Sequence, residues 1–301
     1  MASKSPIELA DLPNEIITAI LSLFPTRALL PLTPLSHRIH ALILTIIHTR
    51  ITTLTSSPSS SKQKVILECY HPSAKLSTPY FFCDYLYTEP FSLTSPSTSA
   101  SSKLQQLRDL YTHYKPTPPE GDRKVWRPRP AGGWSWVPIS DVLGNGEEGA
   151  ELVSQDIYLE SHELFSQLMS VVNVVKTGPK KDLFLSCVTV GEGLVRVWRD
   201  WLAARAEDFR EGRDGEGRED GKGLLWSSVD RHVGLRLKVL EREDMVRDRG
   251  PVLVSRDEDP NVGYTLQYED LVVRSTQLLL MIEDSMDREV GNTGKAIVIV
   301  S

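Results

Sequence analysis

Cysteine is scarce in this chain. Its 301 residues include three cysteines, Cys69, Cys83 and Cys187, and no two of them form a CxxC pair. An odd and sparse count is typical of buried thiols in a reducing compartment and argues against a disulfide framework. We therefore expect an intracellular protein, located in the cytoplasm, the nucleus or both.

Long apolar runs and an excess of positive charge are also missing. The nearest approach to a membrane span, ALILTII at 41–47, falls far short of the roughly 18 apolar residues that such a helix needs. The N-terminus MASKSPIELAD has no sustained apolar core, so we expect no secretory signal. The formal net charge is −6, which gives no general attraction to nucleic acid or anionic lipid. Neither a membrane nor a nucleic acid is expected as a partner.

The chain does contain clear breaks in composition. A Ser/Thr/Pro-rich stretch at 52–64 reads as a linker between an opening segment, 8–48, and a body, 65–301. Within the body, runs rich in Ser and Pro, in Pro, or in Gly and charged residues predict surface loops at 92–103, 115–133 and 207–223.

The segments between these breaks alternate between strand-like and helix-like patterns. Short runs of β-branched and aromatic residues predict strands at 64–70, 80–86, 182–190, 233–241, 251–255 and 296–300. Apolar residues at helical spacing predict helices at 162–175, at 194–202 after a Gly191–Gly193 turn, and at 271–286. The glycine turn superficially resembles a phosphate-binding loop, but it lacks the spacing of either common motif. The predicted fold class is α+β, a helical N-terminal segment followed by a larger mixed domain.

The opening segment predicts three short helices. Pro13 suits the first turn of a helix that Pro25 ends, with Ile16, Ile17, Ile20, Leu21 and Phe24 at helical spacing. A second helix covers TRALLPL, 26–32, and is shortened by Pro31 and Pro34. The third begins near Pro34 or Ser36 and carries apolar residues at Leu35, Ile39, Leu42, Ile43, Ile46 and Ile47.

Three such helices in about 40 residues cannot bury all their apolar faces on one another. Each large side chain left in water forgoes roughly 1.5–3 kcal/mol of stabilisation. The helices must therefore pack on the downstream body or on a partner. The periodicity leaves both alternatives open.

The order and spacing of these residues resemble the F-box. The matching positions are Leu12, Pro13, Glu15, Ile16, Ile20, Leu21, Pro25, Arg27, Leu29, Leu30, Leu35, Ser36, Arg38 and Ile39. The resemblance covers about forty residues and implies a three-helix module that binds the Skp adaptor of a cullin-based ubiquitin ligase. The residues expected to bind the adaptor are Leu12, Pro13, Glu15, Ile16, Ile20, Leu21, Leu29, Leu30, Leu35, Ser36 and Ile39.

The body resembles the C-terminal part of certain F-box proteins of filamentous fungi, in the stretches ILECYHPSAKLSTPYFFCDYL, LFLSCVTVGEGLVRVWRDWLA and GKAIVIV. This second resemblance implies no activity. If the chain is a substrate receptor, the body holds an unknown protein target. The residues that best suit target binding lie in WRPRPAGGWSW, namely Trp126, Arg127, Arg129, Trp134 and Trp136. These tryptophans could grip a peptide or a sugar, or they could only anchor a long loop to the body.

An enzyme with a helical extension is the alternative reading. Its best candidates are His71, Asp84 and the pair Cys69 and Cys83, which could form a nucleophile–base pair or a metal site. Their spacing matches no common ligand pattern, and the cysteines alternate with apolar residues as core thiols do. We therefore predict a non-catalytic protein without metal or cofactor, acting as an F-box substrate receptor or, alternatively, as an adaptor-bound scaffold outside ubiquitination.

Overall fold

In the computed structural model of the chain, a helical N-terminal segment precedes a larger body built on a largely antiparallel sheet. The structure describes residues 11–56, 63–72, 80–91, 100–117, 124–128, 134–138, 153–178, 184–212, 223–242 and 259–291. The predicted combination of helices and strands, an α+β fold, is confirmed at this level.

The N-terminal segment begins with helix α1, Asn14–Leu21, which starts directly after Pro13 as predicted. Helix α2, Thr26–Leu29, is a single turn that continues into a 3-10 turn, Leu30–Leu32. Helix α3 spans His37–Ser56. The Ser36 hydroxyl oxygen accepts a hydrogen bond from the Ile39 N–H at 3.1 Å and so caps the start of α3. Because α3 continues through Ser56 and the first strand begins at Gln63, the linker is shorter than the predicted 52–64.

The body contains eleven strands and further helices within the described ranges. The strands are β1 (Gln63–Tyr70), β2 (Tyr80–Thr88), β3 (Tyr111–Thr117), β4 (Lys124–Pro128), β5 (Trp134–Pro138), β6 (Val153–Leu159), β7 (Phe165–Thr177), β8 (Phe184–Trp198), β9 (Leu224–Trp226), β10 (Val233–Glu241) and β11 (Val262–Arg274). The helices are α4 (Ala100–Arg108), α5 (Arg199–Arg210) and α6 (Ser275–Gly291).

The main sheet has the order β8-β7-β1-β2-β3-β11-β10-β9, and β6 pairs with β11 beside β3. Strands β4 and β5 form a separate hairpin. The main sheet curls so that its two ends approach each other. Gly191 of β8 lies against Val233 of β10, and Gly193 of β8 lies against Ser227, the residue after β9. The hydrophobic core fills the enclosed side, where α5 contributes Leu202 and α6 contributes Leu278 and Ile282.

The helix predicted at 162–175 is wrong, because this segment forms strand β7. Its buried positions follow a period of two through Ser166, Leu168, Ser170 and Val172. The two serines at inward positions conceal that alternation, so the remaining apolar residues fit a helical spacing equally well. The predicted strands at 64–70, 80–86, 182–190 and 233–241 are confirmed in position, while those at 251–255 and 296–300 lie outside the described residues.

The predicted glycine turn and the helix start at 194 are also wrong. Strand β8 runs through both glycines to Trp198, and α5 begins only at Arg199. The glycines are needed for space: a Cβ on Gly193 would overlap the carbonyl oxygen of Ser227, and one on Gly191 would lie 2.8 Å from a methyl carbon of Val233. They allow the sheet to close and do not reverse the chain.

Several helix, strand and loop boundaries differ from the predicted ones. Residues 271–274 belong to β11, so the helix predicted at 271–286 starts at Ser275. The predicted loops at 92–103, 115–133 and 207–223 are wrong in part, because α4 starts at Ala100, β3 extends to Thr117, β4 occupies Lys124–Pro128 and α5 extends to Arg210. Residues 92–99, 118–123, 129–133 and 213–222 lie outside the described residues. Among the described residues, no helix is long and apolar enough to cross a membrane.

We expect Gly193→Ala to destabilise the fold by about 1–3 kcal/mol, because the added methyl group collides with backbone where the sheet closes. Urea unfolding measures the loss. Gly223→Ala is the matched control, since a Cβ there meets no atom within 4 Å. Equal unfolding free energies for the two variants would contradict this account of the closure.

Candidate functional site: the exposed apolar face of the N-terminal helices

Helix α1 carries apolar side chains on two neighbouring faces, about 100° apart. Ile17 and Leu21 are buried, whereas Ile16 and Ile20 are 48% and 39% exposed. The stripe continues after the helix, where Leu23 is 83% exposed and Phe24 is also exposed. Single exposed apolar residues are normal on a protein surface, but a stripe at helical spacing is typical of an interface.

A second exposed group lies between α2 and α3. Leu30 is 39% exposed and Leu35 is 64% exposed. The guanidinium of Arg38 ties this region to α1, since it donates hydrogen bonds to the Asn14 side-chain oxygen at 2.7 Å and to the Leu12 carbonyl oxygen. We call the exposed residues of both groups the apolar face: Ile16, Ile20, Leu23, Phe24, Leu30 and Leu35.

The other side of the same helices packs inward. Its buried core consists of Ile17, Leu21, Leu29, Ile43, Leu44, Ile46, Ile47 and Ile51, together with Leu107, Leu110 and Leu279 of the body. Of the two alternatives left open by the sequence, packing on the body is observed for one face of the helices. One face of the helices is buried on the body and the other is exposed to solvent.

Some of the expected adaptor-binding residues lie on the buried face and the others lie on the exposed face. Leu21 and Leu29, which we expected to contact the adaptor, pack inward, and Leu29 is completely buried. They support the helices and do not reach the surface in this arrangement. Of the others, Leu12 and Ile39 are half-buried, and Pro13, Glu15, Ile16, Ile20, Leu30, Leu35 and Ser36 are exposed.

The expected target-binding residues fall in and around the β4–β5 hairpin. In its register, Trp126 lies opposite Trp136 and Trp134 lies opposite Pro128. The three tryptophans therefore occupy one set of alternate positions, and Arg127, opposite Ser135, occupies the other. Arg129 lies outside the described residues.

A cleft that the sequence reasoning missed lies between β6 and the start of β7. Its volume is about 820 Å³, and its lining includes the imidazoles of His71 and His162 and the carboxylates of Asp156, Glu160 and Glu163. Neither lysine nor arginine occurs among the described residues that line it. Apart from His71, all the lining residues lie within the single stretch 155–167, to which the sequence analysis assigned no site.

The residues of the enzyme alternative are not brought together. Strand pairing places Cys83 opposite Val65, so Asp84 falls beside Lys64 of β1. His71 follows Lys64 by seven residues (71 − 64). At about 3.3 Å per residue in an extended strand, it lies roughly 23 Å from Lys64 and hence from Asp84. At this separation the Asp84 carboxylate cannot hydrogen-bond the His71 imidazole, so the two do not form the base and orienting group that a catalytic cysteine needs.

Cys69 and Cys83 are buried, as the sequence pattern predicts, whereas Cys187 is half-buried. Burial raises the pKa of the Cys69 thiol to about 11 and raises the pKa of Cys83 further. Both thiols are therefore protonated near neutral pH and are not nucleophilic. Over the described part of the chain, no three His, Cys, Asp or Glu side chains are grouped so that they could hold a metal ion.

A buried charged cluster was also missed by sequence reasoning. His113 of β3 lies between two carboxylates, with its Nδ1 3.6 Å from Asp270 and its Nε2 3.8 Å from Glu89. Arg236 Nε is 3.6 Å from the same Asp270 oxygen. The ring of Tyr87 stacks on His113 at 4.3 Å and covers it. The signal was present in YEDLVVRS, where Asp270 interrupts an apolar run, but the partners come from three other parts of the sheet.

This cluster makes stability depend on pH. Burial alone would lower the pKa of His113, but the carboxylates of Asp270 and Glu89 raise it above its ordinary value of 6.5. Because the folded state binds the proton more tightly than the unfolded chain, the stabilisation is complete below that ordinary value. It is lost as the pH rises through the pKa of the folded state.

We therefore expect the difference in unfolding free energy between the natural chain and His113→Gln to shrink between about pH 6 and pH 8. Urea unfolding at several pH values measures it. His162→Gln provides the control, since that side chain is 75% exposed. A difference that stays constant or grows with pH would show that His113 does not hold its proton in the folded state.

Comparison with known proteins adds no identification. No protein family, curated protein or solved structure matches this chain. The function has to be inferred from the residues and the geometry described above.

Proposed function

We propose that this chain is an F-box substrate receptor of a Skp–cullin–F-box ubiquitin ligase. In this proposal the N-terminal helices form the F-box module and bind the Skp adaptor. The body binds a protein target in the cytoplasm or nucleus. The observation that carries the proposal is the exposure of Ile16 and Ile20 on a helix whose other apolar face is already buried.

The energetics favour a protein partner for this face. Six large apolar side chains are exposed within about twenty residues of sequence, Ile16 to Leu35. Burying the rest of each side chain is worth about 1 kcal/mol, half the usual value for a fully buried one. Helix-in-groove docking uses anchors at spacings of three and four residues, and positions 16, 20 and 23 have that spacing.

The chain contributes proximity and not chemistry in this proposal. The adaptor links it to the cullin, and the ligase's own enzymes transfer ubiquitin to the bound target. No cofactor is needed for this role. The target would be held by the β4–β5 hairpin, through Trp126, Arg127, Arg129, Trp134 and Trp136, or in the acidic cleft beside β6.

We expect the double substitution Ile16→Asp and Ile20→Asp to reduce binding of purified Skp adaptor by about 100-fold or more, because each carboxylate would enter an apolar contact. Isothermal titration with the full-length chain measures the affinity. Both positions are exposed, so the fold itself should tolerate the change.

The matched control introduces the same charges elsewhere, as Leu185→Asp and Leu194→Asp on β8. Those leucines are exposed to a similar degree, 41% and 44%, and should leave adaptor binding within about twofold of the natural chain. Full adaptor binding by the Ile16/Ile20 variant, or none by the natural chain, would rule out the docking model.

Target binding requires a separate test. We expect Trp126→Ala combined with Trp136→Ala to leave adaptor binding unchanged. The double variant should lose the target proteins that co-purify with the full chain, because aromatic anchors dominate peptide interfaces. Quantitative mass spectrometry of the captured proteins measures the loss. Retention of every interactor would exclude the hairpin as the target site and direct attention to the cleft.

The proteins captured with the full chain also distinguish a substrate receptor from a scaffold. A receptor should co-purify with cullin, and at least one captured protein should accumulate in cells that lack the chain. Adaptor binding without either result would favour a scaffold that acts outside ubiquitination.

A further inference from the structure

Helix α6 takes part in the two larger hydrophobic cores of the described residues. Leu278 and Ile282, one turn apart, pack in the core enclosed by the sheet. Leu279, on the neighbouring stripe of the helix, packs in the core under α1, α2 and α3. One turn after Leu279 on that same stripe stands Glu283.

The carboxylate of Glu283 caps helix α2. One oxygen accepts the Thr26 backbone N–H at 2.7 Å, and the other accepts the Thr26 hydroxyl at 2.8 Å. Helix α2 has no side-chain cap of its own, because the residue at its N-cap is Pro25. A helix start leaves backbone N–H groups without partners, and a carboxylate is a favourable acceptor for them. Here the acceptor comes from the far end of the chain, 257 residues away.

Arg50 of α3 extends this contact to α1. One nitrogen of its guanidinium donates to Glu283 at 2.9 Å and to the Thr26 hydroxyl at 3.0 Å. The other nitrogen donates to the carbonyl oxygens of Ser22 at 3.0 Å and Phe24 at 2.7 Å, just after α1 ends. The Arg50 and Glu283 side chains are only 20% and 18% exposed, so water screens their attraction less than at the surface.

The connection between α1 and α2, residues 22–26, is therefore held from the body. Leu23 and Phe24 of the apolar face lie within it, and the stripe Ile16–Ile20 precedes it. The contacts of Glu283 and Arg50 therefore hold the segment that joins the two groups of the apolar face.

We infer that Glu283 is a positioning residue for adaptor binding: it fixes the shape of the apolar face from the body without belonging to that face. This inference rests on the proposed function. It implies that the body is needed for adaptor binding as well as for target binding.

The test compares Glu283→Ala and Glu283→Gln in the full-length chain by two measurements. The first is hydrogen–deuterium exchange of the peptide covering residues 22–30, with β1 as internal reference. The second is the affinity for purified Skp adaptor. Glu207→Ala is the control, because it removes a helix carboxylate whose ion pair with Arg210, at 3.9 Å, is exposed.

We expect Glu283→Ala to exchange about tenfold faster at residues 22–30 and to bind the adaptor about tenfold more weakly, with exchange in β1 unchanged. Glu283→Gln keeps an acceptor oxygen for Thr26 and should bind within about threefold of the natural chain. The control should match the natural chain in both measurements.

Unchanged exchange at 22–30 would show that Glu283 does not hold the connection, and unchanged adaptor affinity despite faster exchange would show that the contact is structural only. Either result overturns the inference. A natural chain that does not bind the adaptor counts against the proposed function instead, and the exchange measurement then still decides whether Glu283 holds the connection.

Discussion

The packing of α6 between two cores is the constraint on which the rest of the structure depends. Its stripe Leu278–Ile282 completes the core inside the curled sheet, and its stripe Leu279–Glu283 completes the support under the N-terminal helices. The half-buried pair of Glu283 and Arg50 adds a fixed polar geometry to this apolar contact. Removing one member of such a pair leaves the other charge without its partner, which is why the pair enforces one arrangement of the helices.

This arrangement explains how a short segment can keep an apolar surface exposed. Helices α1 to α3 are too small to form an independent core, and leaving both apolar faces in water would make them unstable. The body buries the face that carries Ile17, Leu21 and Leu29, which allows the face with Ile16 and Ile20 to remain exposed. The body thus supports the exposed face from behind.

The sequence predicted much of the local structure but less of the packing between elements that are distant in sequence. Pro13 and Ser36 correctly marked helix starts, because their effects act within a few residues. Pro25 does not end α1, which already stops at Leu21 and leaves Phe24 outside the helix; it stands instead at the N-cap of α2. The helix predicted over β7 failed because Ser166 and Ser170 occupy buried positions, and burial of a serine depends on neighbouring strands. The Gly191–Gly193 prediction failed for the same reason, since Ser227 and Val233 create the need for glycine.

Two adjacent residues of the candidate site also show that local sequence does not determine burial. Ile16 and Ile17 are chemically identical, yet one is half exposed and the other is buried. Helical periodicity places them about 100° apart but cannot say which of them faces the body. That choice is made by Leu107, Leu110, Leu279 and Glu283, all distant in sequence. The apolar face is therefore a property of the folded chain: the N-terminal helices supply the side chains, and the body determines which of them remain exposed.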